Sequence, residues 1–187
     1  PGSGTLQAVD LAALLARATS DPALAGVAVR FVPPETPLPT IAGDPHLLQR
    51  AVRNLLLNAV QATLAGAVHA GRDGALPEEG ESGEPGEPPE PPEPPHPVIV
   101  RLLREAAGLH LADSATITID DRGGGLAPEI AGRLFQPFAS ARPGGAGLGL
   151  ALARRIVAMH GGTLRLEARE PRGVRAEIRL PFGNIAT

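Results

Sequence analysis

Residues Asp121 to Leu150 carry two glycine loops, and each dictates how the chain around it must run. The first, Asp121-Arg122-Gly123-Gly124-Gly125-Leu126, follows an alternating apolar stretch and so leaves a strand. The second, Gly145-Ala146-Gly147-Leu148-Gly149-Leu150, precedes apolar residues at helical spacing and so enters a helix. Glycine lets the backbone turn sharply and approach another group closely. A lone loop of either kind fits an ordinary turn. Two of them at this spacing, one leaving a strand and one entering a helix, are rarely needed for packing alone.

The surrounding elements are consistent with that. Leu6 to Ala18 read as a short strand and then a helix, and Val27 to Val32 as a strand. Asp44 and Pro45 open the next helix, with Asp as N-cap and Pro at the first helical position. This helix is expected to run to about Leu64, with Leu48, Val52, Leu55, Ala59 and Ala62 on one face. Asn54, Asn58 and Gln61 form a second stripe, one turn apart. Val98 to Leu103 and Ala115 to Asp120 read as paired strands. Thr163 to Ala168 and Val174 to Leu180 form a hairpin about Pro171-Arg172-Gly173. In that hairpin Leu164, Leu166, Val174, Ala176, Ile178 and Leu180 point in, while Arg165, Glu167, Arg175, Glu177 and Arg179 point out. Leu148, Leu152, Ile156 and Met159 should be core, and Gly161-Gly162 ends their helix. The expected fold is α/β, a two-layer sandwich with helices on one face of a mixed sheet.

Residues 1–187 read as one domain carrying an insertion at 66–97. Its Glu87 to Pro95 stretch cannot form helix or ladder and should be an extended polyproline-type loop. A Pro-rich partner ligand is the alternative use for it. The net charge of −3 hides a contrast. Residues 72–97 hold Asp73 and seven Glu against Arg72 alone; without them 16 basic and 12 acidic residues leave +4. A mildly basic body suits a polyanionic ligand and not a nucleic-acid scaffold. All 17 basic residues are Arg, which excludes a P-loop lysine. The absence of Cys excludes disulfides and thiolate chemistry. No apolar run is long enough to span a membrane. The opening Pro1-Gly2-Ser3-Gly4 and a single Met, Met159, read as an excised piece of a longer protein.

Asp121 continues the inward face of Ile117 and Ile119, where a carboxylate needs a partner. A cap on the glycine turn is one such role. With Arg53-Asn54-Leu55-Leu56-Leu57-Asn58-Ala59 upstream and Leu134-Phe135-Gln136-Pro137-Phe138 between the loops, the set resembles the ATP-binding catalytic domain of bacterial sensor histidine kinases. That superfamily also holds DNA gyrase, a heat-shock chaperone and the mismatch-repair ATPases. The resemblance covers about Leu6 to Phe182.

It implies the Bergerat-type form of the sandwich and a set of roles. Asp121 would accept the adenine amine, with Gly123 and Gly125 shaping the loop. Asn58 would hold Mg²⁺ by its amide oxygen, and Asn54 would face the phosphates. Gly145, Gly147, Leu148 and Gly149 would cradle phosphate at a helix start. Residues 126–146 match a lid, with Phe135 and Phe138 as its phenylalanine motif or as core anchors, and Arg142 as its cation. Asn54 stands where gyrase carries a water-activating Glu, and an amide is no base. The implied activity is ATP-dependent phosphotransfer to a histidine on the protein's own dimerisation domain, absent from this chain, with a response regulator downstream. A nucleotide-binding pseudokinase or interaction module is the main alternative, and a gyrase-type ATPase another. The resemblance implies a cytoplasmic site of action, whether or not the parent is attached to a membrane, and a monomeric isolated domain. The pattern departs from many kinases at Gln61-Ala62, at Gly173-Val174 and in the lid's Ala139-Ser140-Ala141-Arg142. His160 reads as a helix-end residue.

Residues 72 to 96 hold few apolar side chains. Replacing them with a short Gly-Ser link should move the melting temperature by only a few degrees, a change of ~1 kcal/mol. A large drop would show that the arm packs on the body.

Overall fold

The computed structural model describes residues 6–73, 95–106, 113–126, 132–136 and 147–183. A five-stranded mixed sheet forms one layer, in the order β2 (Val29–Val32), β4 (Val98–Glu105), β5 (Ser114–Asp120), β7 (Val174–Pro181), β6 (Thr163–Ala168). Only β2 and β4 run parallel; the other neighbours are antiparallel. Three helices, α1 (Leu11–Thr19), α2 (Pro45–Asp73) and α3 (Gly149–Met159), contribute to the same core as one face of the sheet. This is the two-layer sandwich that the alternation pattern predicts.

The face with the helices takes Val98, Val100 and Leu102 from β4, Ala115, Ile117 and Ile119 from β5, and Ala176, Ile178 and Leu180 from β7. Leu56 of α2 and Leu15 of α1 are fully buried in the same core. The hairpin of β6 and β7 has the expected inward set, although Leu166 and Val174 are only half-buried. A further pair lies apart: β1 (Gln7–Val9) and β3 (Ile41–Gly43) are antiparallel. Too short to show a period, β3 is absent from the sequence expectation.

Asp44 caps α2 as expected. Its Oδ1 accepts from the backbone N–H of His46 at 2.9 Å and of Leu47 at 3.1 Å. The far end differs. The helix continues past Leu64 to Asp73, so the first eight residues of the expected insertion are helical. Ala65, Gly66, Ala67 and Val68 follow without a proline, so nothing local stops the helix there. Residues 74–94 of the insertion lie outside the described residues.

His160 sits one residue beyond α3. Its Nδ1–H donates to Ile156 O at 2.7 Å, and its Nε2 accepts from the Asp44 N–H at 3.0 Å, a neutral tautomer assigned from these partners. The end of α3 is thereby joined to the start of α2. Met159 and Leu148, both expected in the core, are instead 65% and 46% exposed. They lie at the two ends of α3, beyond the span that packs inward through Ala153, Ile156 and Val157.

The other face of the sheet carries ions. Asp120 is 2% exposed beneath Arg175, whose Nε and Nη2 donate to its two oxygens at 2.7 and 2.9 Å. Arg101 Nη1 donates to Oδ2 at 2.8 Å, and Arg169 Nε lies 3.8 Å from Oδ1. Burial alone would push this carboxyl up. The Arg175 hydrogen bonds and the charges of Arg175, Arg169 and Arg101 more than reverse it, holding the group below its ordinary value of 3.8. A carboxylate depressed in the folded state stabilises the fold above its unfolded value and loses that contribution as pH falls through its folded value.

Asp120→Asn should therefore cost about 1–3 kcal/mol at neutral pH. The gap between variant and wild type should shrink in acid, below the ordinary carboxylate range. Urea melts across that range check it, and a gap independent of pH would contradict it.

Candidate functional site

Helix α2 runs past both glycine loops. Asn54, half-buried, donates from Nδ2 to the carbonyl oxygen of Gly149 at 3.4 Å, and Gly149 is the first residue of α3. Two turns later, Ala62 meets the first loop: a Cβ on Gly123 would sit 2.6 Å from both the carbonyl carbon and oxygen of Ala62. Asn58 is half-buried and lies between them, one turn from each, since positions four apart share a face. The loops, distant in sequence, are thus lined up along one side of one helix, about 12 Å apart at 1.5 Å per residue.

The close packing gives Gly123 a structural reason beside the expected one. Its backbone approaches α2, and any side chain would collide with that helix. Gly66 belongs to the same contact: a Cβ there would lie 3.2 Å from the Gly123 Cα. The sequence reading placed Gly66 in the insertion and so missed it. The signal was present, as Ala62 and Gly66 are small residues one turn apart. Gly125 has φ +85° and Gly147 φ +61°, the left-handed backbone that glycine favours.

Asp121 directly follows the central strand β5 and is 5% exposed. Its Oδ1 accepts from the N–H of Gly123 at 2.8 Å and of Val174 at 3.2 Å. The turn-capping role is therefore present. Asp121 N–H in turn donates to Val174 O at 3.0 Å. At Gly173, φ is +108° and a Cβ would stand 2.1 Å from Asp121 O. Only glycine lets the start of β7 lie so close. Arg169 Nη1 donates to Asp121 O at 3.1 Å, and Arg172 Nε to Gly123 O at 3.4 Å. From sequence, Arg172 is named only as part of the turn Pro171-Arg172-Gly173, and Arg169 is not singled out.

At the second loop, α3 begins after Leu148 with no side-chain cap. Its first N–H groups and its positive end make a donor set suited to an anion. Leu148 is exposed beside it. Phe135 is half-buried against the core, with the Arg154 guanidinium 4.8 Å from its ring centre. Leu134 beside it is buried. Phe138, Arg142 and Gly145 fall outside the described residues. The described part of the site therefore joins an acceptor at Asp121, amides at Asn54 and Asn58, and backbone donors at the α3 start.

A family model described as histidine kinase-, DNA gyrase B-, and HSP90-like ATPase matches residues 43–184. The chain is 30% identical over 185 residues to the sensor histidine kinase ZraS of Salmonella typhi, covering 97% of this chain and 32% of that protein. It is 30% identical over 132 residues to the sensory histidine kinase/phosphatase NtrB of Escherichia coli O157:H7, covering 68% and 30%. It spans about a third of the length of these relatives. Among solved structures it is similar to the mycobacterial sensor histidine kinase MprB, at 26% identity and TM-score 0.64, covering 94% of this chain and 97% of that one. Full-length ShkA in complex with AMPPNP gives 25% identity and TM-score 0.64, covering 98% and 32%.

Two neighbouring glycines separate packing from sequence pattern. A Cβ on Gly124 would meet nothing within 4 Å. Gly123→Ala should cost about 1–3 kcal/mol by forcing the loop off α2, while Gly124→Ala should be nearly neutral in a denaturant melt. Equal costs would refute the contact.

Proposed function

Because the chain belongs to the histidine kinase-, DNA gyrase B-, and HSP90-like ATPase family, on its sensor histidine kinase side, we propose how its residues handle ATP. The observation that carries the reading is the alignment of both glycine loops along α2. A nucleoside triphosphate laid beside that helix has its base at Asp121 and its phosphates at the start of α3. The similar full-length ShkA structure is a complex with AMPPNP, which supports nucleotide binding by this fold.

Asp121 accepts a hydrogen bond from the adenine amine, already oriented by the two backbone donors on its Oδ1. The uncapped α3 start, with Gly147 and Gly149, receives phosphate oxygens. Asn58 offers a neutral oxygen to Mg²⁺, which would draw charge from the phosphates and leave the γ-phosphorus open to attack. Asn54, held on Gly149, orients the phosphate end. It has no basicity with which to activate water. The γ-phosphoryl group therefore goes to a supplied nucleophile: an imidazole nitrogen of a histidine on the dimerisation domain forms the N–P bond as the bond to ADP breaks. A response regulator would then accept the group. The parent acts in the cytoplasm in this reading; among the described residues no helix is long and apolar enough to cross a membrane.

A hydrogen bond to a charged group is worth roughly 1.5–3 kcal/mol, so Asp121→Ala should weaken ATP binding by about ten- to hundred-fold. Asn58→Ala should abolish most of the Mg²⁺ enhancement and spare metal-free binding. With its dimeric helical domain added in trans, the wild-type chain should transfer phosphate from labelled ATP to histidine, giving an acid-labile, base-stable product. Wild-type affinity in Asp121→Ala, by calorimetry, would sink the assignment. Rapid ATP hydrolysis by the chain alone would point to a gyrase-type ATPase, and tight binding without transfer to a pseudokinase.

A further inference from the structure

Asp120 and Asp121 are adjacent and point to opposite faces of the sheet. One side chain touches both. Arg169 leaves β6 on the open face, where its Nε lies 3.8 Å from Asp120 Oδ1, and its Nη1 donates to the backbone oxygen of Asp121 at 3.1 Å. Its own N–H donates to Gly173 O at 3.0 Å. Gly173 is the residue whose backbone lies against Asp121 O, and the next residue, Val174, donates to the Asp121 carboxylate. The β6–β7 turn therefore holds Asp121 by main chain and side chain at once, and Arg169 fixes the turn to both. Asp120, in turn, is locked by the Arg175 fork and by Arg101.

We infer that Arg169, anchored on Asp120, is a positioning residue that aims the Asp121 carboxylate and so sets the preference for an amino-bearing purine. The inference rests on the base-recognition role given to Asp121 above. Its physical content is directional. A carboxylate discriminates a 6-amino from a 6-oxo purine only while one of its oxygens points at the donor, and a small rotation of the Asp121 main chain spoils that alignment. The ion cluster on the far side of the sheet has no contact with nucleotide in this arrangement; it acts through the backbone oxygen of Asp121.

The test is calorimetric titration of Arg169→Ala, Arg169→Lys, Asp120→Asn and Asp121→Ala with ATP, inosine triphosphate and inorganic tripolyphosphate, alongside thermal melts. Arg169→Ala should weaken ATP about five- to tenfold, as misplacement of a binding group does. It should leave tripolyphosphate unchanged and reduce the preference for ATP over inosine triphosphate by the same factor. Arg169→Lys, with one ammonium in place of a fork, should fall between. Should Arg169→Ala not fold, Asp120→Asn carries the same expectation. Equal weakening of ATP and tripolyphosphate would mark a purely structural role and overturn the inference. Base preference lost in Asp121→Ala and kept in Arg169→Ala and Asp120→Asn would overturn it while leaving the proposed function standing. Preference kept in all variants would remove the role of Asp121 and the inference together.

Discussion

The backbone of the Gly123 turn lies on the backbone of α2 at Ala62, with no room for a single carbon between them. The site depends on that contact. It fixes where the central strand ends relative to the long helix, and so where Asp121 stands relative to Asn58 and Asn54. The contact is available only because both partners are small: glycine in the turn, and Ala62 and Gly66 on the helix. Close-packed interiors transmit such constraints, since a displaced backbone cannot be absorbed by empty space. The hydrogen bonds from Gly123 and Val174 to Asp121 then settle the orientation of the carboxylate within a frame that packing has already set.

Much of this was legible in the chain, for reasons that differ by element. The sheet hairpin of β6 and β7 shows in its alternation, because one face is apolar and the other ionic. The start of α2 shows in Asp44-Pro45, because capping is local chemistry. The family set shows in the order of its motifs, and Asp121 emerges as a buried carboxylate from parity along β5. What did not show is non-local. The strand β3 is three residues long and exists by pairing with β1. Arg169 and Arg172 look like two charges in a turn, and only the tertiary approach of that turn to residues 121–123 gives them partners. The expected end of α2 near Leu64 falls short because the Pro/Glu-rich composition of the insertion is read from residue 66 on, whereas Gly66 packs inside the helix.

Strand β5 carries two unlike chemistries on its two sides. Toward the helices it is aliphatic and ends in Asp121. Toward the open side it presents Thr116, Thr118 and Asp120, all nearly buried under long arginine side chains of neighbouring strands. A carboxylate buried without partners would be costly, and a cluster of three arginines offsets that cost on the face where the described residues place no helix. The arginine stems do the covering that an apolar layer would otherwise do. This explains how a chain without tryptophan or tyrosine closes the middle of its sheet when, among the described residues, one face alone packs against helices.

The neutral His160 bridge has a consequence for motion. It bolts the tail of α3 to the head of α2, while Asn54 bolts the head of α3 to α2 ten residues farther on. Two antiparallel rods fastened at both ends cannot slide past each other. The gap between the jaws at Gly123 and Gly149 is therefore a fixed gauge, not an adjustable clamp. The separation of the two glycine loops is thus set by the helix pair and not by either loop.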